Sequence, residues 1–410
     1  MATQSKSLAA NQPNYTVPFI IVTALFGIFG FLTSLNNQLV GKLKEIFVLP
    51  YGPSMLATSA WFFAYLVFSV PSGKLIEKVG YKSTMVISLF IMVVGALLFV
   101  PAANMVSFPL TLTAIFVLAT GVCALQTSAN PYVAILGPEH SASARLNLAQ
   151  AFNSGASAIA GWFAARFILA DTTKVTDAVS QAHMLEMPYV YIGIGLLVLG
   201  FTVMFLHLPA ITSSRSAEDF PAQGRSIWSF SHTVLGMVGI FFYVGVEIAL
   251  AAICIQYCEQ QGISDVQIAG ILVTVYYLLI MAGRFIGSAL MSVIKAEKML
   301  VVLGALGVVL MLVSMFTHGQ IAIGSLVLCG LANSIMYPTI FTLGIAELGP
   351  MTSEGSGVVT IGNVGGAVIP PLFGFLADKI GIQYAFVLPI VCYIFIAYYG
   401  LSGYKPTRAG

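Results

Sequence analysis

Charge is scarce in this sequence. Only 8% of its 410 residues are Asp, Glu, Lys or Arg. A soluble domain carries about 25%, because its whole surface faces water. The shortage excludes an ordinary soluble enzyme. Histidine is equally sparse. His140, His183, His207, His232 and His318 fall near run ends or in loops, so no set of His, acid and nucleophile assembles within the apolar runs. Five cysteines, Cys123, Cys254, Cys258, Cys329 and Cys392, all lie inside apolar runs. An odd number placed there excludes a disulfide framework and reads as reduced packing residues. Cys254 and Cys258 share a helix face, but no His lies near them, so no metal site is expected. No cofactor is expected either. The net charge of +2 is too small to mark a nucleic-acid partner.

Apolar sequence is what the chain has in abundance, at 58%. A spanning helix needs roughly 20 apolar residues to cross about 30 Å of hydrocarbon. Twelve such runs can be counted, six on each side of a polar stretch at Pro209 to Arg225. They are too long and continuous for a β-barrel. The expectation is an all-α membrane protein with twelve transmembrane helices in two six-helix halves. The expected boundaries are residues 1–208 for the first half, 209–229 for a cytoplasmic linker and 230–410 for the second half. With the N-terminus inside, 12 of the 17 Lys and Arg residues fall on the cytoplasmic side, Arg284 among them, and 5 fall outside. That asymmetry satisfies the positive-inside rule and places both termini in the cytoplasm. The first sixteen residues are polar and give no sign of a cleavable signal peptide.

The two halves echo each other. Gly137-Pro138 and Gly349-Pro350 are 212 residues apart, Pro131 and Pro338 are 207 apart, and Asn153 and Asn363 are 210 apart. Three matches near one offset point to an internal repeat, as transporters often have. Pro131 and Pro338 each free a backbone carbonyl and kink a helix, which suits rocking of one half against the other.

Polar residues inside a membrane are costly, so each is a functional candidate. Glu247 is the one acid placed near a midplane. Burial favours the neutral form of a carboxylate. An acid that is dry in one access state and wet in another can therefore take up and release a proton. It can equally accept hydrogen bonds from a ligand, pair with a cation such as sodium, or brace a neighbouring helix. Asn37, Gln126, Asn130, Gln150, Asn153, Asn333, Tyr337 and Asn363 complete the candidate binding set. Gln126 and Asn130 share one face of the fourth helix, and Asn333 and Tyr337 share one face of the tenth. Amides donate and accept at once, so the set suits a neutral, hydroxyl-rich ligand. Interhelical bonding is the alternative role for each amide. Tyr276, Tyr277 and Gln256 can add to the set, and Trp61 can stack on an apolar sugar face or simply pack.

Four motifs carry a family resemblance. Arg145-Leu146-Asn147-Leu148-Ala149-Gln150-Ala151-Phe152-Asn153-Ser154 resembles the fifth-helix signature of the L-fucose–proton symporter family, which includes glucose/galactose permeases. Leu125 to Tyr132 resembles its fourth-helix motif, and Tyr337 to Ile345 resembles its tenth. Gly283-Arg284-Phe285 fits as well. The stretch Gly73 to Lys82 is similar to the signature loop of the major facilitator superfamily. The resemblance implies a major-facilitator fold and sugar uptake across a bacterial inner membrane; a monomer is expected.

Two departures matter. The fucose branch has a coupling Asp where this chain has Asn37, and a coupling acid where it has Gln126. An amide carries no proton. Tyr243-Val244-Gly245-Val246-Glu247 is instead similar to the glucose/galactose branch, so coupling is expected to have moved to Glu247. The alternatives are a sugar uniporter and a sensor that keeps the fold without transport. An amino sugar or glycosylamine-type conjugate is the alternative substrate.

Overall fold

The computed structural model describes residues 15–47, 56–167, 183, 185–209, 226–263 and 265–406. The helices are α1 (Thr16–Ile46), α2 (56–79), α3 (81–97), α4 (Phe108–Ile135), α5 (Ala142–Phe167) and α6 (Glu186–Phe205). The second half has α7 (Ser231–Gln260), α8 (Val266–Leu290), α9 (Ala296–Phe316), α10 (Gly319–Gly344), α11 (Gly349–Ile380) and α12 (Ile382–Gly403). Among the described residues ten segments are long and apolar enough to span a membrane. One of them, Leu56–Asn104, holds both α2 and α3, and α5 falls outside the ten. Together these give the twelve helices expected. α5 drops out because Ser143, Arg145, Asn147, Gln150, Asn153, Ser154 and Ser157 dilute its apolar character.

The stretch Gly73 to Lys82 differs from its reading as a loop. Helix runs through it on both sides and breaks only at Gly80, where φ is 82° and ψ is 167°. That conformation is essentially open to glycine alone. A Cβ at Gly80 would meet nothing within 4 Å, so the backbone angle by itself demands glycine. The expected linker lies mostly outside the described residues. Its last part, Ile227–Ser229, forms one 3₁₀ turn leading into α7.

In the first half α1 packs on α5, and α4 and α6 pack on the α2–α3 run. In the second half α7 packs on α10, α11 and α12, and α9 packs on α10 and α12. The halves meet where α5 lies against α8 and α10, and where α11 lies against α2 and α4.

Both repeat prolines sit where expected, and the carbonyls they free are occupied. Proline has no N–H for the carbonyl four residues before it. For Pro131 that carbonyl belongs to Thr127, and it accepts from Ser356 Oγ on α11 at 2.7 Å. For Pro338 it belongs to Ser334, and it accepts from Arg284 Nε on α8 at 3.1 Å. α10 is correspondingly split into Gly319–Asn333 and Met336–Gly344.

Candidate functional site

A cavity of about 520 Å³ lies between the halves. That is within the usual ~300–1,000 Å³ of small-molecule sites. Its walls come from the middles of α1, α2, α4, α5, α7, α8, α10 and α11. Six expected residues line it: Gln126, Gln150, Asn153, Glu247, Tyr337 and Asn363. Phe29, Trp61, Phe62, Tyr65 and Tyr277 supply aromatic faces around these polar groups.

The polar floor is a convergence on one phenol. Tyr337 OH accepts from Gln126 Nε2 at 2.8 Å, from Asn130 Nδ2 at 3.4 Å and from Asn363 Nδ2 at 3.5 Å. Gln126 belongs to the first half and Tyr337 to the second, so the floor is itself a joint. Gln126 Nε2 is used by this bond, whereas its Oε1 is buried with no partner. Gln150 Nε2 is likewise buried and unpartnered. An unmade hydrogen bond on a buried group costs about 1–3 kcal/mol. Gln126 Oε1 is thus an unpaired acceptor and Gln150 Nε2 an unpaired donor, the complement of a group that both donates and accepts, as a hydroxyl does.

Asn153 ties α5 to α1. Its Nδ2 donates to the Phe26 carbonyl of α1 at 3.1 Å, and Ser157 Oγ donates to the Gly30 carbonyl at 3.0 Å. Gly30 permits this approach, because a Cβ there would overlap the Asn153 carbonyl and side chain. Asn130 and Asn333 stand behind the wall rather than on it. Asn333 is bonded at both ends: it donates to Tyr276 OH at 2.7 Å and accepts from Tyr393 OH at 2.8 Å. Tyr276 OH in turn reaches the Glu247 backbone carbonyl at 3.3 Å, so this chain of bonds braces the helix bearing Glu247. Asn36 is buried away from the cavity, and the side chain of Asn37 lies outside the described ones.

Arg284 corrects the sequence reading. It was counted among cytoplasmic helix-end charges, but α8 continues past it to Leu290, and its side chain is only 5% exposed and lines the cavity. Its Nη1 donates to the Gln150 carbonyl at 3.1 Å and to Ser154 Oγ, both on α5. Its Nη2 donates to Tyr243 OH at 3.4 Å. The signal was available: Tyr277, Met281 and Arg284 are spaced to share one helix face, and all three line the cavity.

The cavity is sealed at the end that carries Gly80 and the α4–α5 turn. There Ser143 and Thr342 hydroxyls meet at 2.6 Å, and Ser288 Oγ donates to the Ala144 carbonyl at 2.8 Å. Ser353 Oγ donates to Tyr81 OH at 3.2 Å. Each bond joins one half to the other. Toward the opposite end the lining continues along α5 to Trp162 and along α8 to Val273.

The family model described as Major Facilitator Superfamily matches residues 19–363. A glucose/galactose transporter of Brucella abortus is 40% identical over 399 residues, which is 97% of this chain and 96% of the relative. The L-fucose-proton symporter of Escherichia coli is 31% identical over 413 residues, covering 95% and 93% of the two chains. Among solved structures, the fucose transporter in its outward conformation superposes with a TM-score of 0.85 at 30% identity, over 95% of this chain and 99% of that one. A proton:xylose symporter shares the fold alone, with a TM-score of 0.73 at 13% identity. The chain belongs to the major facilitator superfamily, in the family of the L-fucose–proton and glucose/galactose permeases, and is a membrane transporter rather than an enzyme.

Proposed function

We propose that this protein imports a neutral monosaccharide across a bacterial inner membrane, driven by protons that bind at Glu247. The observation that carries the reading is the pair of orphaned amide atoms, Gln126 Oε1 and Gln150 Nε2, buried at a cavity that Glu247 also lines. The unpaired acceptor and donor favour a hydroxyl. Aromatic faces opposite them favour a ring with an apolar face. Both named relatives, a glucose/galactose transporter and a fucose-proton symporter, support a hexose-sized sugar.

Charge balance separates the substrate alternatives. An ammonium on an amino sugar would find Glu247, but Arg284 shares the same wall. With a proton on Glu247 the wall keeps the Arg284 cation and no carboxylate, which disfavours an ammonium and favours a neutral sugar. The Lys and Arg distribution supports a cytoplasmic position for the sealed end, with the cavity facing outward and both termini inside. Import then requires the α2–α11 and α5–α8 contacts at that end to part while the opposite end closes.

Counterflow and accumulation in proteoliposomes test the reading. Wild-type protein exchanges labelled sugar and concentrates it under an inward proton gradient. Glu247→Gln exchanges sugar but does not concentrate it. Full accumulation by that variant sinks the proton site, and wild-type exchange without any response to the gradient identifies a uniporter. A protein that binds sugar but exchanges none is a sensor.

A further inference from the structure

Glu247 and Arg284 line the same wall, yet no ion pair within 4.0 Å joins them. Arg284 spends its donors elsewhere. Two N–H groups go to α5, one to the Ser334 carbonyl freed by Pro338, and one to Tyr243 OH. A guanidinium has five N–H donors, so one N–H, on Nη2, is left over. The groups that face Glu247 are few. Tyr243 comes from its own helix, and Arg284, Tyr276 and Tyr277 come from α8. From α10, Asn333 and Tyr337 present uncharged groups, and Tyr393 of α12 is held on Asn333. Arg284 is the one cation in this set. A buried guanidinium must be compensated, and it has two ways to be so: neutral oxygens on α5, or a carboxylate on α7.

We propose that Arg284 is the positioning residue that links the charge of Glu247 to the joint between the halves. With a proton on Glu247, the guanidinium holds α5 through Gln150 and Ser154, and the sealed end stays shut. When Glu247 is ionised, the guanidinium swings to the carboxylate and α5 is released from α8. This inference rests on the reading of Glu247 as the proton site. Its consequence is that a protonated but sugar-free transporter is held facing outward, which prevents protons from leaking inward alone. Sugar lifts the hold by bonding Gln150 Nε2 and displacing the α5 segment that Arg284 grips.

Spin labels at Glu139→Cys and Lys298→Cys measure the opening. Both positions are exposed at the sealed end, one in each half, and the native cysteines are buried. Distances would be recorded in lipid nanodiscs without sugar, at acidic and alkaline pH. The expected wild-type result is a short distance in acid and a growing long-distance population in alkali. Glu247→Gln should stay short throughout, and Arg284→Gln should lose all response to pH. Ser154→Ala keeps the guanidinium but removes one α5 acceptor, and should lower the closed-to-open ratio in acid by about tenfold or more, as loss of one charged hydrogen bond does. If Glu247→Gln abolishes the response and Arg284→Gln retains it, the link through Arg284 is overturned while the proton site stands. If wild type and Glu247→Gln behave alike, the proton site itself fails. If Arg284→Gln does not fold, Ser154→Ala decides, and an unchanged acid ratio overturns the proposal.

Discussion

Replacing Tyr337 by Phe removes one oxygen and keeps the ring. The ring stays stacked near Phe341, with centroids 6.3 Å apart, and 6.0 Å from Tyr243, so packing is conserved. What is lost is the acceptor on which three amides converge, at 2.8, 3.4 and 3.5 Å. The 2.8 Å bond holds Gln126 with its Oε1 unpartnered, which on the proposed function leaves that oxygen for the sugar. Without it the amide rotates, and the ligand loses one well-aligned neutral hydrogen bond. Such a bond is worth about 0.5–1.5 kcal/mol, which is about a 2- to 13-fold loss of sugar affinity. The empty protein also loses a tie between the halves, because Gln126 and Tyr337 sit on opposite sides of the joint. Its melting temperature should fall along with affinity. Calorimetric titration of purified protein with the best sugar from a binding screen measures the first effect, and thermal unfolding measures the second. Affinity unchanged within about twofold would refute the assignment of Gln126 Oε1 as a ligand acceptor.

Three further outcomes are expected. Gly357→Ala places a Cβ 2.8 Å from the Ser69 carbonyl and 3.2 Å from Val70 Cα, so α2 and α11 cannot close; labels at the sealed end should report an opened population even in acid. Gly80→Ala meets no neighbour but must adopt a positive φ, and should lower stability by about 1–3 kcal/mol while leaving sugar affinity in binding assays unchanged. Gly30→Ala forces α1 off α5 at Asn153, so unfolding should occur at a clearly lower temperature and sugar binding should weaken with it.

The architecture was legible because lipid imposes it. Apolar runs of fixed length, a Lys and Arg bias and two prolines at matching offsets were enough to give twelve helices in two halves. The candidate site was legible in part. Gln126, Gln150, Glu247 and Tyr337 are polar residues inside apolar runs, where little else keeps them, and the cavity gathers all four. Asn130 and Asn333 carry the same signal yet stand behind the wall, bonding tyrosines. Intramembrane polarity marks a residue that must be satisfied, and a neighbouring helix satisfies it as well as a ligand does. Arg284 was missed for the opposite reason. A cation near the end of an apolar run reads as a cytoplasmic anchor until the helix is seen to continue. Two of its four partners are main-chain oxygens, of Gln150 and Ser334, and carbonyl acceptors leave no trace in side-chain sequence. The hydroxyl contacts that seal one end, such as Ser143 with Thr342, were unreadable because serine and threonine are unremarkable in any helix.

The most direct test of proton-driven sugar import is to watch protons move when only sugar is supplied. Proteoliposomes with a lightly buffered lumen and an internal pH dye would receive sugar on the outside, with no imposed proton gradient. The account predicts that the lumen of wild-type vesicles acidifies as sugar enters, and that Glu247→Gln vesicles show none of this while still exchanging labelled sugar. Sugar entry into wild-type vesicles without acidification, or acidification that survives in Glu247→Gln, would contradict it.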